Sequence, residues 1–239
     1  MRTASDARRA IGLSLALIVL SNGITASIYH TGVERRFVYF VWAVLVLATV
    51  LWWARHCARL TNEELGLGRK RWKRSVIIGG LIGCLLAAPS VAFLAFPFLL
   101  AEPVRYREIQ SLNLAGLLWR LGAELTIATA LTEEVLFRGI LQALFKHALN
   151  TGRALIATNS VFALWHLAAN VLTLQQNAVV LPFVPTVLAQ TIGYLGSLLA
   201  IGIGGVILSI LRERTNHLAG SIVAHWVSVA AMTVLVYAK

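Results

Sequence analysis

Charged residues are scarce in this 239-residue chain. Asp, Glu, Lys and Arg make up 13% of it, whereas soluble domains typically carry about 25%. Several long stretches contain none of the four, namely 10–33, 37–54, 75–101, 154–211 and 215–238. Because a helix needs roughly 20 apolar residues to cross the hydrocarbon core of a bilayer, this scarcity excludes an ordinary soluble domain and indicates several membrane spans.

Cysteine is almost absent as well. The chain contains only Cys57 and Cys84, and they lack the spacing of a metal-binding motif. Such a pair is typical of free thiols rather than of a metal site. We therefore interpret both side chains as unmodified thiols without a role in the chemistry of the protein.

The apolar stretches predict about seven membrane-spanning helices. Each shorter run fits one crossing, and 154–211 fits two, interrupted by the polar, proline-bearing stretch 175–185. The segment 114–138 adds another crossing, and an eighth helix follows if 139–149 folds separately. Since lipid offers no partners to an open sheet edge, the predicted fold is an all-α, polytopic transmembrane bundle of about seven to eight helices.

The distribution of basic residues predicts the orientation of this bundle. The first apolar run follows Arg2, Arg8 and Arg9 like a signal peptide, but it is long and further spans follow, which favours a retained first helix. With the N-terminus inside, most Lys and Arg fall on inner segments, as the positive-inside rule requires. The net charge of +11 then needs no nucleic-acid partner, and the run 69–74 is expected to contact anionic headgroups. We expect an integral protein of a bacterial inner (plasma) membrane with a cytoplasmic N-terminus.

No internal repeat divides the sequence. We therefore predict one transmembrane domain, 1–239, in which 1–110 forms N-terminal helices without a motif and 111–239 carries the residues discussed next.

Charged residues inside the predicted membrane segment 114–138 are the most informative feature of the sequence. On a regular helix, Arg120 and Glu124 form one i,i+4 pair, and Glu134 and Arg138 form another on the same stripe. Buried ions are tolerated when they are paired, so both pairs can be structural. Glu133 falls roughly opposite the stripe and has no arginine on its own helix. An unpaired carboxylate within the membrane is a candidate functional group.

Two histidines are candidate partners for Glu133. His166 and His225 fall inside apolar spans, whereas the others lie near helix ends or turns, at His30, His56, His147 and His217. A single histidine in a membrane helix is typical of a hydrogen bond between helices. Two of them together with an unpaired glutamate favour proton-transfer chemistry.

These residues resemble the motifs of the CPBP family, which comprises CAAX proteases and bacteriocin-processing (Abi) membrane proteins. Three motifs carry the resemblance, and all occur in the family's order: Glu133, Glu134 and Arg138; Phe162 and His166; and His225. The motifs span 133–225, and the N-terminal helices contribute none. The resemblance implies an intramembrane endopeptidase of the glutamate type, with Glu133, His166 and His225 as catalytic residues.

The same resemblance implies a role for each group. Glu133 and His166 would activate a water, with Glu133 as general base, and His225 would help to stabilise the oxyanion. Glu134 and Arg138 would form a supporting pair. One Glu and two His are also admissible zinc ligands, so Glu133, His166 and His225 would be the ligands if a divalent metal such as zinc were bound. We favour the metal-free mechanism without a cofactor.

One position departs from the family pattern. The family has asparagine or a variable small residue four residues after the last histidine, where this chain has Val229. Loss of one oxyanion donor can cost about 10²–10³ in rate. Asn170 and Ser221 are candidate substitutes, each one turn from a predicted catalytic histidine. The alternative is that Asn170 bonds a neighbouring helix and Ser221 eases packing.

The expected function is hydrolysis of a peptide bond in a membrane-anchored or lipidated peptide, close to the inner membrane surface. The bilayer and this peptide are the expected partners. Two alternatives remain: a non-catalytic CPBP-like immunity or scaffold protein, and a proton-coupled transporter. Transporters more often show broken helices repeated in both halves, whereas the polar groups here are confined to the second half.

Overall fold

A computed structural model describes residues 2–31, 35–95, 107–176 and 186–238. These residues are helical outside short connections and include no strand, which confirms the predicted all-α bundle. The helices are α1 (Arg2–Thr31), α2 (Arg35–His56), α3 (Trp72–Ala95), the single turn α4 (Arg107–Gln110), α5 (Leu114–Ala148), α6 (Thr151–Trp165), α7 (Leu167–Gln176), α8 (Thr186–Thr215) and α9 (Leu218–Tyr237). Within the described ranges six helices are long and apolar enough to cross a membrane, or seven if the bent pair α6–α7 forms one span. Most of the predicted break 175–185 lies outside the described residues.

Helix α5 is longer than the sequence predicts. The segment 139–149 does not form a separate helix, since α5 runs without interruption from Leu114 to Ala148. Gly139 does not end it, because this glycine packs closely against Leu218 and the carbonyl of Leu65. The helix ends where Asn150 caps the start of α6 by accepting a hydrogen bond from the Arg153 backbone N–H at 3.0 Å.

Parts of α5 have the wider π-helical turn, over Arg120–Leu131 and Val135–Leu141. Hydroxyls in this helix accordingly reach carbonyls five residues back, as Thr126 does to Leu121 at 2.9 Å. The regular wheel of 100° per residue therefore does not hold across the segment. Such turns are rare and often occur at functional sites.

One end of the bundle gathers most of the basic residues. At this basic end, defined by the starts of α1, α3 and α9 and the ends of α5 and α8, His147 lies between two carboxylates. Its ring nitrogens are 3.1 Å from Asp6 and 2.9 Å from Glu64. Partial burial raises the pKa of Glu64, but hydrogen bonds from Thr61 and the contact with His147 outweigh this effect and hold that pKa below its usual value. The segments at this end are thus joined by polar side chains.

Helices α3 and α9 approach each other through small residues. A Cβ on Gly79 would overlap the backbone of Gly220, and one on Gly83 would overlap the backbone of Ala224. The hydroxyl of Ser75 accepts a hydrogen bond from the Gly220 backbone N–H at 2.9 Å, next to this contact. Close packing of backbones through small residues four apart is a common way to join membrane helices, and here it fixes the helix that carries His225.

The small-residue contact gives a prediction about folding. We expect Gly79→Val to lower the free energy of unfolding by about 3 kcal/mol, the upper end of usual overpacking costs, because the neighbouring atoms are backbone. Gly80→Val is the matched control, since no atom lies within 4 Å of a Cβ built there. Thermal melting and folded yield in detergent report the difference. Equal stability of the two variants would contradict the close α3–α9 contact.

Candidate active site

The three predicted catalytic side chains converge between α5, α6 and α9. Glu133 lies near the middle of α5, His166 at the break between α6 and α7, and His225 about two turns into α9. The Oε2 atom of Glu133 is 3.6 Å from Nε2 of His166 and 3.9 Å from Nε2 of His225. Both separations exceed a good direct hydrogen bond and suit a bridging water.

The Glu133 side chain is largely buried within the bundle. Its residue exposure is 8%, and its Oε2 atom is buried without a hydrogen-bond partner among the described residues. A buried carboxylate oxygen normally has a partner. The oxygen that faces both histidines is therefore placed to bind a small molecule such as water.

The hydrogen bonds of the two imidazoles define which nitrogen faces Glu133. Nδ1 of His166 is 2.8 Å from the carbonyl oxygen of Phe162, which can only accept, so this Nδ1 carries a hydrogen. Nδ1 of His225 is 2.9 Å from the Glu134 carboxylate, and it donates in the same way. The Nε2 atoms of both rings are therefore directed at Glu133.

Glu134 and Arg138 form a fully buried ion pair with a separation of 2.9 Å, as their spacing predicts. The same Glu134 oxygen also accepts the hydrogen bond from His225. The two adjacent glutamates approach opposite nitrogens of the His225 ring, Glu133 at Nε2 and Glu134 at Nδ1. The other predicted pair, Arg120 and Glu124, also forms, at 2.8 Å.

Asn159 and Ser209 extend the polar cluster and were not identified from the sequence. The Asn159 oxygen accepts a hydrogen bond from Nη2 of Arg138 at 3.1 Å, and its nitrogen donates to Oγ of Ser209 at 3.0 Å. A Cβ on Gly205 would overlap both Asn159 and Arg138, so glycine leaves room for this contact. The available signal was a polar side chain on an apolar helix, seven residues before His166 and hence on the same face.

Phe162 separates the ionic part of the site from the water-binding part. The Arg138 guanidinium lies 4.1 Å from the centre of the Phe162 ring, within cation–π range. The same ring packs edge-on against His166 at 4.7 Å and against His225 at 6.4 Å between centroids. Its aromatic body therefore holds the two imidazoles apart at a fixed distance.

The candidate substitutes for the missing asparagine have other partners. Asn170 donates to the carbonyl of Tyr194 at 3.3 Å and accepts from the Ser197 hydroxyl at 2.6 Å, both on α8. Ser221 donates to the carbonyl of Leu218 at 3.0 Å on its own helix. The bond between Asn170 and a neighbouring helix is thus the alternative that the contacts favour, and His225 is the donor that remains nearest to Glu133.

The described residues do not fit a resident metal ion. No group of three or more His, Cys, Asp or Glu side chains in these parts of the chain is placed to hold one. Cys57 and Cys84 are free and exposed, as the sequence indicates.

A bundle of apolar helices with a partly buried Glu–His–His cluster between them defines an integral membrane protein with a polar site inside the bundle. Comparison with known families specifies this class further. The model for the family described as Type II CAAX prenyl endopeptidase Rce1-like matches residues 115–231, which include every motif residue named above. This segment is similar to that family of endopeptidases, and the match confirms the resemblance inferred from the motifs. No curated protein and no solved structure matches the chain in the same comparison.

Proposed function

We propose that the protein is an intramembrane endopeptidase that hydrolyses a peptide bond in a membrane-anchored or lipidated peptide. The observation that carries this proposal is the approach of two histidine Nε2 atoms to the Oε2 atom of buried Glu133, at 3.6 and 3.9 Å. A water placed there contacts a carboxylate and two imidazoles at once. This arrangement is suited to general base catalysis.

In the first step Glu133 removes a proton from the bound water while Nε2 of His166 orients it. The resulting hydroxide attacks the carbonyl carbon of the scissile bond. Glu133 is buried, and a low local dielectric strengthens its interaction with the developing charge. Glu133 then passes the proton to the leaving amine, which completes hydrolysis.

His225 is the proposed oxyanion donor. With a proton on each nitrogen, its ring lies between the carboxylates of Glu134 and Glu133, which stabilise its positive charge. Its Nε2–H can then donate to the oxyanion of the tetrahedral intermediate. Because Val229 supplies no second donor, we infer that His225 performs this role largely alone.

The proposed substrate follows from the family and from the position of the site. The matching family acts, by its description, on prenylated CAAX proteins, so a peptide with a prenylated cysteine near its carboxyl terminus is the first candidate. His225 lies seven residues from Leu218 at the basic end, which is roughly 10 Å along a helix. Basic residues favour the cytoplasmic side, and we place the substrate, the site and the N-terminus there, in a bacterial inner membrane.

The non-catalytic alternatives receive no support from the family comparison. A scaffold or immunity protein needs no water site between a carboxylate and two imidazoles. A transporter would use the same groups as a proton relay, but the matching family is described as one of endopeptidases.

The proposal is tested with purified protein in lipid vesicles. The probe is a quenched fluorescent peptide with an S-farnesyl cysteine three residues before its last residue, and the same peptide without the lipid serves as a control. We expect new fragments from the lipidated peptide, detected by mass spectrometry, and at least a 100-fold lower rate with His166→Ala. Folded wild-type protein that cuts neither this peptide nor a palmitoylated one would favour the scaffold alternative.

Removal of metal ions by chelators distinguishes the metal-free mechanism from one that uses a divalent metal. We expect hydrolysis to continue at an unchanged rate after dialysis against EDTA and phenanthroline, since Glu133 and the histidines activate the water themselves. The metal content of the purified protein is measured in parallel. Loss of activity that is restored by added zinc would overturn the metal-free mechanism and leave the peptidase proposal standing.

A further inference from the structure

His166 lies at a break in a membrane helix. Helices α6 and α7 meet there at an angle of 45°, and the His166 backbone has φ −93° and ψ 4°, outside the helical region. Such a bend leaves backbone N–H and C=O groups near the break without their usual partners within the helix. In a membrane these groups must be satisfied by other parts of the protein.

Two side chains of α1 supply those partners. The Asn22 amide nitrogen donates to the carbonyl of Leu164 at 2.9 Å, and its oxygen accepts from the N–H of Ala168 at 2.7 Å. Ser21 donates to the carbonyl of Trp165 at 3.2 Å. Asn22 thereby joins the last turn of α6 to the first turn of α7, on either side of His166.

We propose that Asn22 and Ser21 are positioning residues for His166. This inference rests on the proposed peptidase function and assigns part of the site to a helix outside the matching family segment 115–231. The side chains of α1 fix the angle of the break. That angle sets the distance between Nε2 of His166 and Oε2 of Glu133.

The contacts around His166 explain why the anchor on α1 affects catalysis. The His166 ring is held by its own bond to the Phe162 carbonyl, so the ring moves with the backbone around it. That backbone is anchored to α1 at two carbonyls and one N–H within three residues of His166. A misplacement of about 1 Å in an active site can cost about 100-fold in rate. Loss of the anchor is expected to act on the chemical step more than on substrate binding.

The anchor itself is tested without a substrate. Amide hydrogen exchange is measured by mass spectrometry on peptides covering 163–170, in the full-length protein reconstituted in nanodiscs. We expect exchange in these peptides to be at least tenfold faster in Asn22→Ala than in wild type, because opening of the break becomes easier. Unchanged exchange would overturn the inference, whatever the activity of the variant.

The catalytic consequence is tested with the farnesylated fluorescent peptide. We expect Asn22→Ala to lower kcat by about 10–100-fold with less than a threefold change in KM, and Ser21→Ala to lower kcat by about threefold to tenfold. Ser14→Ala is the matched control for the hydroxyl, since Ser14 is buried on α1 and donates to the carbonyl of Ala10 on its own helix at 2.7 Å. Asn150→Ala is the control for the amide, because it caps the opposite end of α6. Both controls should retain wild-type kcat.

A double variant distinguishes positioning from general damage to the fold. If Asn22 acts through His166, Asn22→Ala lowers the residual rate of His166→Ala by less than twofold. If Asn22→Ala lowers the rate of the His166→Ala variant by the same factor as it lowers the wild-type rate, Asn22 has a general structural role and the inference is overturned. If Asn22→Ala does not fold, the kcat of Ser21→Ala decides whether the inference holds, since this substitution removes only one hydroxyl.

The outcome also separates this inference from the proposed function. If Glu133→Gln abolishes hydrolysis while Asn22→Ala and Ser21→Ala match their controls, the inference fails alone. If Glu133→Gln leaves the rate of hydrolysis unchanged, the proposed function fails, and the exchange measurement still decides whether the anchor exists.

Discussion

Arg138→Met is expected to lower the free energy of unfolding by about 3–5 kcal/mol, because removing one partner of a buried ion pair leaves an uncompensated charge. Both Arg138 and Glu134 have fully buried side chains, and the separation is 2.9 Å. The Glu134 carboxylate would then be left with hydrogen bonds from His225 and Ser221 but without a paired cation. Chemical denaturation or thermal melting in mild detergent measures the loss.

A double variant tests the cause of that loss. Replacing both partners, in Glu134→Leu with Arg138→Met, removes the isolated charge, and buried pairs replaced by apolar residues often retain their stability. We therefore expect the double variant to be more stable than Arg138→Met alone, yet to remain poorly active because His225 has lost its acceptor. A single variant as stable as wild type would contradict the assignment of this pair as a structural support of the site.

Glu133→Gln is expected to lower kcat by about 10²–10⁴-fold, the usual contribution of a general base. Glutamine keeps the size of the side chain and can still contact a water, but it cannot remove a proton. KM and melting temperature should change little, because Glu133 forms no ion pair with an arginine. The rate is measured with the lipidated fluorescent peptide under saturating conditions.

The chain offers a matched control for this substitution. Glu124 is a second buried glutamate on α5, with an exposure of 5% against 8% for Glu133. It is paired with Arg120 and does not contact either histidine of the site. We expect Glu124→Gln to reduce kcat by less than threefold. Equal losses in the two variants would indicate damage to α5 rather than removal of a base.

Much of the fold could be predicted from the sequence because lipid imposes simple rules. Long runs without charged residues predicted the membrane-spanning helices, and the i,i+4 spacing predicted the Glu134–Arg138 ion pair. The full length of α5 could not be predicted, since the sequence left open whether 139–149 forms a separate helix. The π-helical turns likewise depend on packing and not on a local sequence pattern.

The candidate site residues could be named from the sequence, but their arrangement could not. Glu133, His166 and His225 followed from their unusual place in apolar helices and from the family resemblance. The sequence gives no sign of which imidazole nitrogen faces Glu133, because this depends on the Phe162 carbonyl and on Glu134. It also gives no sign of the anchor at the helix break, since Asn22 and Ala168 lie 146 positions apart along the chain.

The most direct measurement is an experimental structure of the wild-type protein in lipid, at a resolution that reveals ordered water. We expect one water within about 2.6–3.2 Å of Glu133 Oε2 and of Nε2 in both His166 and His225. A Glu133 side chain turned towards the acyl chains, or separated from both rings by more than one water, would contradict a shared catalytic site.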